Sequence, residues 1–266
     1  MNKLIHLKLF LIGVLASFII SGCKKTEGTH KNGGQSHRIS VAAAANLRDV
    51  LEELKKVYIK ENSGRTIDIT FASSGLMVQQ ILNGAPFDLF LSADASFPEI
   101  LKKKNKASGN PETYAYGKIA LWSATSDVSQ GLKLVLNPDV KKIAIANPEL
   151  APYGKNAVGA LKKSGLYESI EHKIVWAENI GQAAQFASTG NADIAFVALS
   201  NAMSQEMMNK GKYYVLSEKE AFPIPQSGTV LKGKNTAGAG DFLHFIRSEK
   251  AVPIWKKYGY QPEIKR

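Results

Sequence analysis

The chain has 266 residues, 44% of them hydrophobic and 21% charged, with a formal net charge of +11 and one cysteine. That is enough apolar material for one large domain or two small ones with proper cores, and a single cysteine excludes an internal disulfide framework. A basic chain suits anionic lipid, nucleic acid or an acidic ligand, but lysines such as Lys102, Lys103, Lys104 and Lys106 lack the interleaved aromatics of a nucleic-acid platform and read as a solvated face.

Lys3 and Lys8 precede an apolar run from Leu9 to Ile20 that closes on Ser21 and Gly22. The run is short for a bilayer span, so residues 1–22 read as a secretory signal. Ser21-Gly22-Cys23 resembles the lipobox of bacterial lipoproteins, which implies lipidation of Cys23 and an exported, membrane-anchored protein facing the periplasm or the cell exterior. From Lys24 to His37 no apolar residue occurs, and residues 23–37 are expected to be a flexible tether.

From Arg38 the pattern alternates short β-rich runs with helical ones. Ile39-Ser40-Val41 and an alanine run lead to Asn46, after which Leu47, Val50, Leu51, Leu54, Val57 and Tyr58 form one helical stripe. Thr66 to Phe71 alternates as a strand, with Ile67, Ile69 and Phe71 on one side. Ser73-Ser74-Gly75 opens a short helix ending at Asn83-Gly84, and Phe87 to Leu91 reads as the next strand. The order restarts after Gly117, with Ile119–Ser123, Lys142–Ala146, Ile174–Ala177 and Asp193–Leu199 as strands. A late strand at Gly228–Leu231 and a helical tail from Asp241 to Tyr258 are placed back on the first lobe. The expectation is an α/β protein of two lobes with a ligand cleft between them, residues 38–117 with 228–266 forming one and 118–227 the other.

In open α/β sheets ligands lie beyond the carboxyl ends of strands, where helix N-termini point inward. Four junctions of this kind stand out. Asn46 follows the alanine run and is also a favoured helix cap. Ser74 and Gly75 offer a hydroxyl and an approachable backbone. Pro152-Tyr153-Gly154 brings a phenol and free N–H groups, with a rigid proline turn as the plain alternative. Ile180, after Glu178-Asn179, offers its backbone alone. The donors are hydroxyl, amide and N–H groups without a cation, which favours a small, fully charged anion held by dipoles. Each helix terminus carries roughly +0.5 of a charge, so four would present about +2, the match of a dianion.

At these residues the sequence resembles the molybdate-binding proteins of ABC importers, the ModA family. The resemblance runs from about Ile39 to Tyr260 and is carried by Ala43-Ala44-Ala45-Asn46, Phe71-Ala72-Ser73-Ser74-Gly75, Asn83-Gly84-Ala85-Pro86, Ser92-Ala93-Asp94, Asn147-Pro148, Pro152-Tyr153-Gly154 and Phe196-Val197-Ala198-Leu199. It implies a class II periplasmic-binding-protein fold and an unhydrated tetrahedral oxyanion, molybdate or tungstate, bound at Asn46, Ser74, Tyr153 and Ile180. Ala45, Gly75 and Ala198 are weaker candidates. Family members that use Asn at the first junction can have Thr before it, where this chain has Ala45, and another branch has Tyr where Ala198 stands. The implied partners are the oxyanion, an ABC permease and the membrane lipid, with no cofactor and no nucleic acid, and the protein is read as a monomer and not an enzyme.

Two other readings are weighed against this one. A binder of sulfate, phosphate or another oxyanion would keep most of the same features. An anchored hydrolase would need a base for Ser73 or Ser74, and the five histidines do not supply one: His6, His30 and His37 fall in the signal and tether, while His172 and His244 stand singly. Neither a G-x-S-x-G elbow nor a zinc signature occurs.

Overall fold

The computed structural model describes residues 38–264. The expected signal, the tether and Cys23 lie outside the described residues. Strand β1 (Arg38–Ala44) leads through a 3-10 turn (Ala45–Leu47) into α1 (Arg48–Glu61), followed by β2 (Thr66–Ala72), α2 (Ser74–Leu82), β3 (Leu89–Ser92), α3 (Ser96–Lys103) and β4 (Glu112–Gly117). After Lys118 the chain enters β5 (Ile119–Ser123), β6 (Ile143–Ala146), α4 (Pro152–Lys163), α5 (Tyr167–Ile170), β7 (Ile174–Ala177), α6 (Ile180–Ser188), β8 (Ile194–Ala198), α7 (Leu199–Ala202), α8 (Gln205–Lys210) and β9 (Lys212–Val215). It returns as β10 (Ile224–Val230), α9 (Thr236–Ile246), α10 (Val252–Lys257) and β11 (Gln261–Pro262).

These strands form two mixed sheets. The six-stranded sheet has the order β11-β4-β10-β3-β1-β2 and the five-stranded sheet the order β7-β6-β8-β5-β9. In the first, β1 is an interior strand parallel to both β2 and β3, so its alanines are flanked by a ladder on either side. Ala42, Ala43 and Ala44 are buried. Alanine has the highest intrinsic helix propensity, yet three of the four consecutive alanines, Ala42 to Ala44, extend a strand. Small side chains allow helices to pack close on both faces, and the two parallel ladders outweigh the propensity.

The return strand differs from the expected Gly228–Leu231. It begins four residues earlier, where Ile224 pairs with Gly117 and Pro225 with Tyr116. Pro223 and Pro225 hide its start in the sequence, because proline cannot donate to a ladder. The register shift between Gln226 and Ser227 takes up the irregularity. The expected helical tail is two helices, broken near Ser248, whose hydroxyl and N–H both bond the Phe245 carbonyl.

The chain passes between the sheets at Lys118 and again between Val215 and Ile224. Beside the first passage, Leu199 N–H bonds the Lys118 carbonyl and Leu216 N–H bonds the Ile119 carbonyl. One large apolar core spans both layers, from Leu51 and Phe242 on the first sheet to Leu134, Ile145 and Phe196 on the second.

Candidate anion site

The carboxyl ends of β1, β2, β6 and β7 bring four helix starts to one small cavity. Its wall includes Ala45 and Asn46, Ser73 and Ser74, Pro152 and Tyr153, and Asn179 and Ile180. No charged side chain lines it. Its volume is ≈ 10 Å³, on the scale of one water-sized particle, so it has no room for an extended organic solute. Asn46, Ser73, Ser74, Tyr153 and Ile180 are all buried.

The first N–H groups of a helix have no carbonyl of their own helix to bond. At α6 the Asn179 side chain caps Gln182 N–H at 3.0 Å, which leaves the N–H groups of Ile180 and Gly181 facing outward from the helix end. At α4 the first residue is Pro152, which has no N–H, so Tyr153 supplies the first free donor. Gly154 lets α4 start this close to β6: a Cβ there would lie 1.9 Å from the Ala146 carbonyl oxygen. At α2 the Ser74 hydroxyl oxygen accepts from Ala93 N–H at 3.0 Å, and its own proton stays available for donation. That partner is an amide, not a base, so nothing here activates Ser74 as a nucleophile.

Two positions from the weaker group sit differently. Gly75 spends its N–H on the Leu150 carbonyl at 2.9 Å, a bond that ties α2 to the loop before α4. A Cβ on Gly75 would press on Leu150 at 3.0 Å. Ala198 is fully buried, paired in the sheet with Ile119, and is not part of the cavity wall. Ala45 is part of that wall and brings no hydroxyl.

Asn46 and Tyr153 join the site in a way their residue types do not announce. The Asn46 amide nitrogen donates to Gln226 Oε1 and to the Tyr260 hydroxyl, both at 2.8 Å. Its Oδ1 is buried and has no hydrogen-bond partner. The Tyr153 hydroxyl is also buried without a partner and lies against Gly117, where a Cβ would come within 2.0 Å of it. Burial above all, and then the neighbouring Tyr260 phenol, hold the Tyr153 phenol well above its ordinary pKa. Gly117 and Tyr260 do not line the cavity. The phenol oxygen is therefore turned to the layer behind it, and Tyr153 faces the cavity through its backbone and ring.

Gln226 and Tyr260 were not singled out in the sequence because neither stands at a strand-to-helix junction, and Ser200 because α7, which opens directly after β8, is only four residues long and shows no helical period. The one available signal is Gln226, a long polar side chain inside the otherwise apolar or small run of β10. Among the described residues, no group of three or more His, Cys, Asp or Glu side chains is placed to hold a metal ion.

Two α/β sheets that share a small, uncharged cavity ringed by helix N-termini make up a two-lobed periplasmic-binding-protein fold. The chain belongs to the bacterial extracellular solute-binding protein family, whose family model matches residues 39–261. It is 38% identical over 227 residues to the molybdate-binding protein ModA of Rhodobacter capsulatus, covering 85% of this chain and 88% of that one. A lipoprotein of Bacillus subtilis, a putative ABC transporter substrate-binding protein, is 26% identical over 96% of this chain and 98% of its own. Among solved structures, the periplasmic molybdate-binding protein of Azotobacter vinelandii superposes with a TM-score of 0.79 at 33% identity, over 86% of this chain and all of that one.

Proposed function

We propose that the protein captures molybdate, and tungstate, as a bare tetrahedral dianion outside the cytoplasm and delivers it to the permease of an ABC importer. The observation that carries this reading is the cavity: four helix starts converge on one small space, and no side chain in its wall is charged. Helix dipoles and fixed N–H groups stabilise an anion without a counter-charge. The similarity to molybdate-binding proteins over most of both chains supports the choice of anion.

The ligand donors in this reading are the backbone N–H groups of Ala45 and Asn46, the Ser74 hydroxyl, and the N–H groups of Tyr153 and Ile180. Charge-assisted hydrogen bonds contribute roughly 1.5–3 kcal/mol each, so a handful suffices for micromolar or tighter binding after association costs. Selectivity over sulfate follows from size, because only the larger dianion reaches every donor. Residues 38–117 with the return segment form one lobe and the β5 to β9 segment the other, and they close by a hinge at Lys118 and the stretch before Ile224.

The test is calorimetric titration with molybdate, tungstate, sulfate and phosphate. Tight binding of the first two, undisplaced by equimolar sulfate, is the expected result, and sulfate displacing molybdate would assign the site to another oxyanion. Cys23 is proposed as the lipid anchor, a reading supported by the named lipoprotein relative. Metabolic labelling with palmitate should mark the protein and lose the mark in Cys23→Ser.

A further inference from the structure

Directly behind the cavity lies a buried polar cluster that the anion itself does not need. Gln226 fixes its sense. Its amide nitrogen donates to the carbonyls of Ala93 at 3.1 Å and Ile224 at 2.9 Å, groups that can only accept. Gln226 therefore has to present Oε1 to Asn46, and Asn46 has to answer with its amide nitrogen. The second proton of that nitrogen goes to the Tyr260 hydroxyl. Both side-chain protons of Asn46 are thereby used, and its amide cannot also donate to the anion.

Tyr260 then links this cluster to the other sheet. Its hydroxyl bonds the Asn46 carbonyl at 2.9 Å and lies 3.0 Å from Ser200 Oγ. Ser200 Oγ in turn donates to the same Asn46 carbonyl at 2.9 Å. Ser200 belongs to α7, immediately after β8 of the five-stranded sheet, whereas Asn46, Gln226 and Tyr260 belong to the layer of the six-stranded sheet. These bonds form only when the two layers are together. On the other side of the cavity, Gly75 to Leu150 is a second bond of the same kind.

We propose that Tyr260 and Gln226 are positioning residues that hold Asn46 in its ligand-ready orientation and, through Ser200, latch the two lobes around the anion. This rests on the oxyanion-binding reading above. The Asn46 side chain is a strut in this arrangement, and its backbone N–H is the group offered to the ligand. Gln226, Tyr260 and Ser200 are all buried, and removing one partner strands the others without water.

The experiment compares wild type with Tyr260→Phe, Ser200→Ala and the double variant by stopped-flow tryptophan fluorescence with molybdate. Tyr258→Phe, which loses only a bond to Glu53, serves as control. Each latch variant should dissociate molybdate about tenfold faster with little change in association rate, as one lost hydrogen bond predicts. The double variant should be scarcely faster than either single one, because the two groups act as a unit. Phe keeps the edge-on contact of residue 260 with Trp255, and the thermal midpoint without ligand reports any general damage. Unchanged dissociation in both single variants, or effects that multiply in the double, would overturn the latch. If wild type binds no molybdate, it is the functional reading that fails. Small-angle scattering of the ligand-free proteins then decides the latch, with a larger radius of gyration in Tyr260→Phe expected and an identical one against it.

Discussion

The side chains around the cavity divide into those that offer protons forward and those that hold these in place. In the proposed reading Ser74 is a side chain that donates to the anion, its oxygen already accepting from Ala93 and its proton being left for the ligand. Ser74→Ala removes one charge-assisted bond, about 1.5–3 kcal/mol, and should raise the molybdate Kd by roughly one to two orders of magnitude with an unchanged unfolding midpoint. Calorimetry and denaturant titration together check both halves. Residue type alone could point to Ser74, because a hydroxyl before a helix is a local feature. It could not reveal which way the Asn46 amide faces, since that is set by Gln226, 180 positions away.

At the scale of the element, the site depends on helices that begin where a strand has just ended. The Asn179 cap on α6 keeps the first turn open toward the cavity by satisfying Gln182 and leaving Ile180 free. Asn179→Ala should cost about 1 kcal/mol of stability, typical of a lost cap, and weaken molybdate binding as well because the Ile180 N–H is less well held. Chemical denaturation and calorimetry measure the two effects, and a full loss of stability with intact affinity would show that the cap does not position the donor. The helix starts were legible because their signals are local: Asn46, Ser73-Ser74, Pro152 and Asn179 each punctuate an apolar period. Strands β4, β9 and β11 were not, being short or carrying tyrosines and polar residues, and they are strands because a neighbouring strand supplies the ladder. The alanines of β1 show the same dependence, since the parallel pairing with β2 and β3 overrides their local preference.

Across the whole molecule, charge and binding are kept apart. Among the described residues no lysine is buried, and the cavity wall has no formal charge. Scattered positive charge still steers a small anion toward the protein, an effect that salt screens. The lobe junction instead concentrates buried phenols. Burial pushes the Tyr260 hydroxyl from 10.0 up to about 12, and it holds Tyr114 and Tyr153 well above the ordinary value. A raised pKa in the folded state means that the stability contribution is complete below the unfolded value near 10 and is lost as pH climbs through the folded one. The urea midpoint should therefore show no dependence on these groups between pH 6 and pH 9 and fall from about pH 10 upward. Tyr260→Phe should make that alkaline fall shallower, and an equally steep fall in the variant would mean Tyr260 is not the group responsible.

The sequence by itself determined the alternation of strands and helices, the junctions at Asn46, Ser74, Tyr153 and Ile180, and the absence of a cation from them, because caps, turns and periodicity act over a few residues. The tertiary structure decided which of those groups face the cavity and which stand behind it. Tyr153 turns its hydroxyl toward Gly117, Gly75 spends its N–H on Leu150, and Ala198 lies in the sheet away from the wall. Such outcomes depend on where the last buried polar atom finds its partner, and for Asn46 and Ser200 that partner, Tyr260, comes from the far end of the chain.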